Sequence, residues 1–310
     1  MRFAVIGAGN MGCLYGANLA RAGAEVVFLD VWEEHVESIR RDGLRMSGLH
    51  GEFTMRADAT TRPTEAPKAD AAAICVNTYA TRQAAESAQI VLKPEGYAVT
   101  LQNGVGNVEI LTEVLGADRV MAGLSFHSAD LRAPGEVVHT NEGPTYLGEL
   151  DRSRSERLLG LNAFMDRAGM GPVLVDDIVT TIWSKFVHNC GLNAICALTG
   201  LRPGHIREVP ELDEFQTQII NETLALVRAK GVMLPDPDPL TTIKNYTASK
   251  FHRVSMQQHL DRGRPTEIDS LNGYVARESA RLGLAAPANA ALTRLMKGRQ
   301  HRPAAAAGAS

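Results

Sequence analysis

No stretch of this sequence stays apolar for the ~18 residues that a membrane-crossing helix needs, so no membrane partner is expected. The first apolar run begins almost at Met1, so no signal peptide is expected. A net charge of −3 gives no electrostatic reason to expect nucleic acid or an anionic surface. Cysteine is sparse: Cys13, Cys75, Cys190 and Cys196 are scattered, without a C-x-x-C pair. Cys190 and Cys196 would not share a face of one helix. Reduced, mostly buried thiols of a cytoplasmic protein are therefore expected, with neither a disulfide framework nor a metal centre. No internal repeat is visible. What remains is a globular composition, 45% apolar and 22% charged over 310 residues, long enough for two domains with separate cores.

The chain begins with an apolar run, Phe3, Ala4, Val5 and Ile6, suited to a buried parallel strand. Gly7-Ala8-Gly9-Asn10-Met11-Gly12 follows, with the G-x-G-x-x-G spacing. In that pattern the first glycine permits a tight turn and the second lets backbone approach a pyrophosphate. The third lets helix pack closely on strand. A helix over about residues 10–22 would turn its free N–H groups and positive dipole end toward the phosphates.

A second strand, 24–30, ends in Asp30. A carboxylate there can accept hydrogen bonds from the adenosine ribose and repel the 2′-phosphate of NADP, which favours NAD. It can equally serve only to start the turn into a helix over 33–41. Residues 43–59 alternate around Gly48 and Gly51 like a hairpin. Strands are expected at 69–76 and 97–101, with a helix at 81–92 between them. The second of these strands runs into Gln102-Asn103-Gly104-Val105-Gly106-Asn107. Ligands of doubly wound sheets sit at such strand ends, so Asn103 can face cofactor or substrate. Asn-Gly is also a common turn pair, and both readings stand. A short helix at 108–115, several strands over 120–150, a helix at 154–168 and a late strand at 172–175 complete the first half.

After Asp177 the β-branched runs stop and segments of 3.6-residue period take over, at 179–201, 212–230, 239–247, 266–282 and 287–298. The expected architecture is α/β, a Rossmann-type doubly wound parallel sheet with a second, all-helical domain. The expected limits are 1–177 for the dinucleotide-binding domain and 178–300 for the helical substrate domain. Residues 301–310 are expected to form a disordered tail.

Within the helical half, Lys185, Asn189 and Asn193 recur at every fourth position and share one helix face. Their neighbours Phe186, Val187, Cys190 and Leu192 are apolar, so the polar stripe faces water, another polar surface or a ligand. Asparagine is a poor choice for a merely solvated helix face. His188 lies on the other side of Lys185 and reads as a packed or surface histidine rather than a general acid. Thr266 with Asp269 matches a capping box, so a helix is expected to start there with Glu267 in its first turn. Glu267 is either an ordinary first-turn acid or, if the fold brings it to Lys185, part of a site. Ser255 alone carries little signal.

Taken together, these segments resemble the ketopantoate reductase (2-dehydropantoate 2-reductase) family. The likeness rests on the Gly7–Gly12 turn, the LQNGVGN segment, Trp183-x-Lys185 with Asn189 and Asn193, Ser255-Met256, and Thr266-Glu267-Ile268-Asp269 leading to Leu271-Asn272-Gly273. They occur in the family's order over nearly the whole chain. The resemblance implies hydride transfer from a nicotinamide cofactor to the ketone carbon of a 2-oxo acid, as in the reduction of ketopantoate to D-pantoate, in a cleft between the two domains. It implies Lys185 as proton donor and Glu267 as its neighbour and ligand of the substrate hydroxyl. It also implies Asn189, Asn193 and Ser255 as substrate-binding groups, and Asn103 at the junction of cofactor and substrate. Three departures stand out. Asp30 replaces an Arg common in NADP-using relatives, Asn77 replaces a frequent Lys, and Gln257-Gln258-His259 follows Ser255-Met256 where Asp usually ends the motif. They leave room for an NAD-dependent D-2-hydroxyacid (mandelate-type) dehydrogenase, or for a non-catalytic dinucleotide sensor. The sequence leaves the oligomeric state open, a homodimer included.

Overall fold

The computed structural model describes residues 1–301; the expected tail lies, from position 302 on, outside the described residues. The chain divides into two compact units, Met1–Ile182 and a second from Trp183 onward.

The first unit alternates β1 (Arg2–Ile6), α1 (Asn10–Arg21), β2 (Glu25–Leu29) and α2 (Glu33–Asp42) with the short strands β3 (Leu44–Gly48), β4 (Phe53–Met55) and β5 (Asp58–Thr60). Next come β6 (Ala69–Ile74), α3 (Thr81–Val91), β7 (Leu92–Thr100), α4 (Asn107–Leu115) and β8 (Val120–Ser125). The unit ends with β9 (Ser128–Ala133), β10 (Glu136–Asn141), β11 (Thr145–Glu149), α5 (Glu156–Arg167) and β12 (Pro172–Leu174).

Its main sheet has the order β12-β11-β8-β7-β6-β1-β2-β5. β5, β2, β1, β6, β7 and β8 are all parallel, with Arg2 opposite Glu25 and Phe3 opposite Ala71 at the centre. The expected doubly wound parallel sheet is present, with one antiparallel addition: β11 runs antiparallel to β8. The chain reaches β11 through β9 and β10, without the crossover helix that a parallel neighbour requires, and β12 then pairs along its outer side. Strands of the centre are buried on both faces. Phe3, Val5 and Phe28 pack with α1 residues Leu14 and Tyr15 and with Leu158 and Leu161 of α5. Ala4, Ile6, Val27 and Leu29 point the other way, onto Ala84, Ala85 and Ala88 of α3 and Leu111 of α4. β6 is almost all alanine, so helices approach it closely. Because the chain leaves β1 toward β2 and later returns to β6 on its other side, the sheet reverses direction at the C-terminal ends of β1 and β6. This is the switch point at which doubly wound sheets bind ligands.

The hairpin expected within 43–59 forms as β3 and β4 and belongs to a second sheet, β4-β3-β10-β9. β3 and β4 do pair antiparallel, but β3 also pairs parallel with the distant β10, and β5 leaves to extend the main sheet.

The second unit is helical. It comprises the remainder of α6 (Ile178–Thr199) with α7 (Pro210–Ala229), α8 (Pro239–Ala248), α9 (Ser255–Asp261), α10 (Asn272–Arg281) and α11 (Pro287–Gln300). Its core includes Phe186, Val187, Cys190, Ile219, Ile220, Val275 and Met296, all at most 1% exposed. Gly191 lets α6 and α7 cross closely, since a Cβ there would lie 2.8 Å from Ile220 Cγ1. Two expectations change here. Residues 255–261, given no element from sequence, form α9. The helix expected from Thr266 is instead one 3₁₀ turn, Glu267–Asp269, interrupted at Leu271 (φ −106°, ψ −105°) before α10 begins. Thr266 Oγ1 does accept from Ile268 N at 3.4 Å, but Asp269 turns outward to Lys297 at 2.8 Å and leaves the capping box half-made.

Candidate active site

The glycine turn is built almost entirely of backbone. Gly7 holds φ +93°, and its N–H donates to Leu29 O at 2.8 Å. A Cβ on Gly7 would lie 2.7 Å from Val76 Cγ1, and one on Gly12 would lie 1.9 Å from Gly7 O. These two glycines are therefore required by the fold itself. Gly9 differs: a Cβ there would meet nothing within 4 Å. Gly9 also stands at the start of α1, which has no side-chain cap and no acid in its first turn. Open space before an uncapped helix start fits the pyrophosphate of a dinucleotide. Ala8 is fully buried, and Met11 packs against the core. The Asn10 side chain accepts from Leu131 N at 3.0 Å, so its carbonyl serves to dock β9.

At the end of β2, Asp30 Oδ1 accepts from Trp32 N at 3.0 Å. Asp30 thus does start the turn into α2, and no hydrogen bond to its Oδ2 occurs among the described residues. At the end of β6, Asn77 Nδ2 donates to Tyr79 Oη at 3.2 Å. The segment after β7 is pinned by side chains that the sequence did not single out. Gln102 Nε2 donates to Val76 O and Thr81 Oγ1, each at 2.9 Å, and Thr81 Oγ1 donates to Asn107 Oδ1 at 2.9 Å. Asn107 Nδ2 in turn donates to Asn103 O at 3.0 Å. Asn103 is half-buried and is followed by Gly104 and Gly106, both at positive φ.

In the second unit, α6 carries Lys185, Asn189 and Asn193 on successive turns. Lys185 and Asn189 are half-buried, while Asn193 is only 5% exposed. Neither asparagine side chain makes a hydrogen bond among the described residues, and neither amide is fully cut off from solvent, so both are open to a polar ligand. Burial brings the Lys185 pKa down to about 8, and the charge of Glu267 opposes that shift. Glu267, half-buried in its 3₁₀ turn, thus lies within electrostatic reach of Lys185. Ser255 is exposed at the first position of α9 and makes no side-chain hydrogen bond among the described residues. His188 is packed edge-on against Tyr246, with ring centroids 4.7 Å apart. Burial first, then the charges of Lys185, His252 and Lys250, push its pKa down to about 4, so it is neutral at pH 7.

A buried polar network fixes α6 from behind. Gln216 Nε2 donates to Gly191 O at 3.1 Å, and Asn272 Nδ2 donates to Cys190 O at 3.1 Å and to Asn289 Oδ1 at 2.9 Å. Asn289 Nδ2 donates to Glu222 Oε2 at 2.8 Å, and Glu222 accepts the N–H groups of Ala288 and Asn289 at 2.9 Å each. One signal pointed this way: α11 starts Ala286-Pro287 without a capping side chain of its own, so its cap must come from elsewhere. Among the described residues there is no His, Cys, Asp and Glu cluster suited to a metal ion, and no helix long and apolar enough to cross a membrane.

A doubly wound sheet with an open glycine turn at its switch point defines the class of dinucleotide-binding α/β proteins. Residues 3–152 match the family Ketopantoate reductase PanE/ApbA, and residues 177–300 match Ketopantoate reductase PanE/ApbA C terminal. The chain belongs to the ketopantoate reductase family, oxidoreductases acting on the CH–OH group of a 2-hydroxy acid. It is 31% identical over 297 residues to the 2-dehydropantoate 2-reductase of Archaeoglobus fulgidus, covering 96% of this chain and 97% of that one. The solved PanE/ApbA family ketopantoate reductase of Ralstonia eutropha superposes with a TM-score of 0.87 at 30% identity, covering 97% and 98% of the two chains. D-mandelate dehydrogenase in a ternary structure with NADH and anilino(oxo)acetate has the same fold, with a TM-score of 0.87 at 23% identity over 97% and 98% of the chains.

Proposed function

We propose that this protein reduces a 2-oxo acid to the D-2-hydroxy acid with NADH, ketopantoate being the reference substrate. The observation that carries the reading is the Lys185 ammonium, brought by burial to a pKa of about 8 beside Glu267 on the helix that also presents Asn189 and Asn193. Residues 1–177 hold the cofactor through Gly7, Ala8, Gly9, Asn10, Met11 and Gly12, with Asp30 on the adenosine ribose. Residues 178–300 supply the substrate groups. When bound, the nicotinamide supplies the hydride to the ketone carbon. Lys185 gives its proton to the oxygen of that carbonyl as negative charge develops there, so an oxo acid, one hydride and one proton become a hydroxy acid. An acid of pKa about 8 is mostly protonated at pH 7 and still gives up its proton readily. Glu267 keeps the ammonium charged and accepts from the substrate hydroxyl. The Asn193 amide hydrogen-bonds the polar substrate, with Asn189, Ser255 and Asn103 as further substrate-binding groups. The reaction is placed in the cytoplasm, supported by four free thiols, three of them buried.

A second reading, an NAD-dependent D-2-hydroxyacid dehydrogenase for a bulkier substrate, is favoured by Asp30 and by the Asn77–Tyr79 pair where relatives often carry cations. The test is a matrix of initial rates with NADH and NADPH, each against ketopantoate, a small branched 2-oxo acid and an aromatic one. NADH with ketopantoate is expected to be fastest. A faster aromatic acid selects the second reading, and a strong preference for NADPH removes the role given to Asp30. No turnover with any combination leaves a dinucleotide sensor.

A further inference from the structure

His35 is a buried polar side chain beside the glycine turn of the first unit, and nothing in the proposed reaction uses it. It lies one turn into α2 with no exposed surface. Its Nδ1 accepts from Gly135 N at 2.9 Å, in the turn between β9 and β10. In a neutral ring the proton therefore sits on Nε2. That nitrogen is 3.4 Å from Cys13 Sγ, whose S–H is directed at Ala8 O, 3.0 Å away in the glycine turn. Burial lowers the His35 pKa; the nearby Asp30 charge and Ala8 carbonyl oppose this. The ring thus touches the phosphate turn on one edge and the small sheet on the other.

Its face is used as well. Trp32 stacks on it, with centroids 5.3 Å apart and planes 17° from parallel. The backbone N–H of this same Trp32 holds Asp30 Oδ1 at 3.0 Å. Ser38, one turn further along α2, fixes the same small-sheet turn by donating to Pro134 O at 3.0 Å. A continuous chain of contacts therefore runs from Gly135 through His35 and Trp32 to the Asp30 carboxylate. An Asx turn alone leaves a carboxylate at a strand end free to swing about its own χ angles and with the loop that carries it. Stacking Trp32 on a ring that is itself bonded at both nitrogens removes the second of these freedoms.

We propose that His35 and Trp32 are positioning residues for cofactor selection, holding the Asp30 carboxylate and the glycine turn in a fixed relation so that the adenosine ribose of NADH is accepted and the 2′-phosphate of NADPH is refused. The proposal rests on the role given to Asp30 in the proposed function. Neither residue touches the reacting atoms. Their effect belongs to binding and to the ratio between cofactors.

The test is equilibrium binding of NADH and NADPH to the full chain, followed by cofactor fluorescence without substrate. The proteins are wild type, Asp30→Ala, Trp32→Ala, His35→Gln and the double variant Asp30→Ala/Trp32→Ala, with thermal midpoints measured alongside. Trp32 is 41% exposed, so Trp32→Ala keeps the fold even if His35→Gln does not. Asp30→Ala is expected to weaken NADH binding about tenfold. Trp32→Ala and His35→Gln should each weaken it roughly threefold or more and narrow the NADH-to-NADPH preference. In the Asp30→Ala background, Trp32→Ala should cost almost nothing further. Full additivity in the double variant would overturn the proposal, as would a lowered midpoint with an unchanged cofactor ratio, because either result makes the stack merely structural. If Asp30→Ala leaves NADH binding intact, the reading of Asp30 itself fails, and that outcome is separate from one in which Asp30 matters and Trp32 does not.

Discussion

The two units hold their functional groups in opposite ways. In the first, the phosphate turn is backbone: Gly7 and Gly12 are glycine because a Cβ would collide with Val76 or with Gly7 O, and Gly9 is glycine where the fold leaves space. In the second, the proposed site is side chains on one helix, whose surroundings are drawn from α7, α10, α11 and the Glu267 turn. A backbone site is set by local geometry and survives as a short spacing pattern. A side-chain site gains its properties, such as a lysine pKa of about 8, only from burial and neighbours far along the chain.

That contrast breaks most sharply at Lys185. Lys185→Ala is expected to lower kcat by about 10²–10⁴ while NADH affinity stays nearly unchanged; steady-state kinetics with a binding titration decide it, and a loss confined to NADH affinity would contradict the proton-donor role. The glycines give the next largest effect. Gly12→Ala should lower thermal stability by about 1–3 kcal/mol and weaken NADH binding, since the turn must move to admit the methyl. Gly9→Ala should leave the melting temperature almost where it is and weaken NADH binding alone. Equal melting shifts for the two variants would show that the space at Gly9 is not the cofactor's.

A smaller effect concerns pH. As a general acid, Lys185 must be protonated, so the reduction rate should be full below its pKa of about 8 and fall as pH rises through it. Because the Glu267 charge raises that pKa, Glu267→Gln should move the fall to lower pH; a pH profile of kcat for both proteins checks it, and a shift to higher pH would be incompatible. The smallest effect separates the units by stability. In the first unit, His127 Nδ1 lies 3.2 Å from His139 Nε2, and His127 Nε2 lies 3.0 Å from Met170 O. The carbonyl takes the His127 Nε2 proton, so its Nδ1 accepts from His139, and protonating that Nδ1 would set two donors face to face. Burial lowers both pKa values below the usual 6.5. Groups neutral in the fold but protonated when unfolded favour the fold above about 6.5 and lose that contribution as pH falls through the folded pKa. The melting temperature should therefore drop progressively below pH ~6.5, and His127→Gln should flatten part of that drop. An unchanged slope would detach it from this pair.

Much of the first unit was legible because each central strand is a short apolar run and each turn carries its own chemistry: Phe3 to Ile6, the glycine turn, and the alanines of β6 all read locally. The pairing of β3 with β10 was not legible, because parallel pairing of strands far apart leaves no local mark. α9 escaped for a different reason, being too short for a period to emerge. Thr266 promised a continuous helix, but Asp269 bonds to Lys297 rather than to the helix start, and only the packing of α11 determines that. At the proposed site, the spacing of Lys185, Asn189 and Asn193 showed their common face but not that Asn193 is only 5% exposed while Asn189 is half-buried.

By itself, then, the sequence determined what local sterics and periodicity can encode. It specified a strand, a turn that only glycine can make, an acid closing the second strand, and a polar stripe on an apolar helix. Tertiary structure alone decided which distant groups those features meet: Glu267 near Lys185, Asn272 and Gln216 on the carbonyls of α6, and His35 between the glycine turn and the small sheet. The physical reason is range. Backbone strain and helical phase act within a few residues, whereas desolvation, charge coupling and the satisfaction of buried amides depend on whatever the fold brings close.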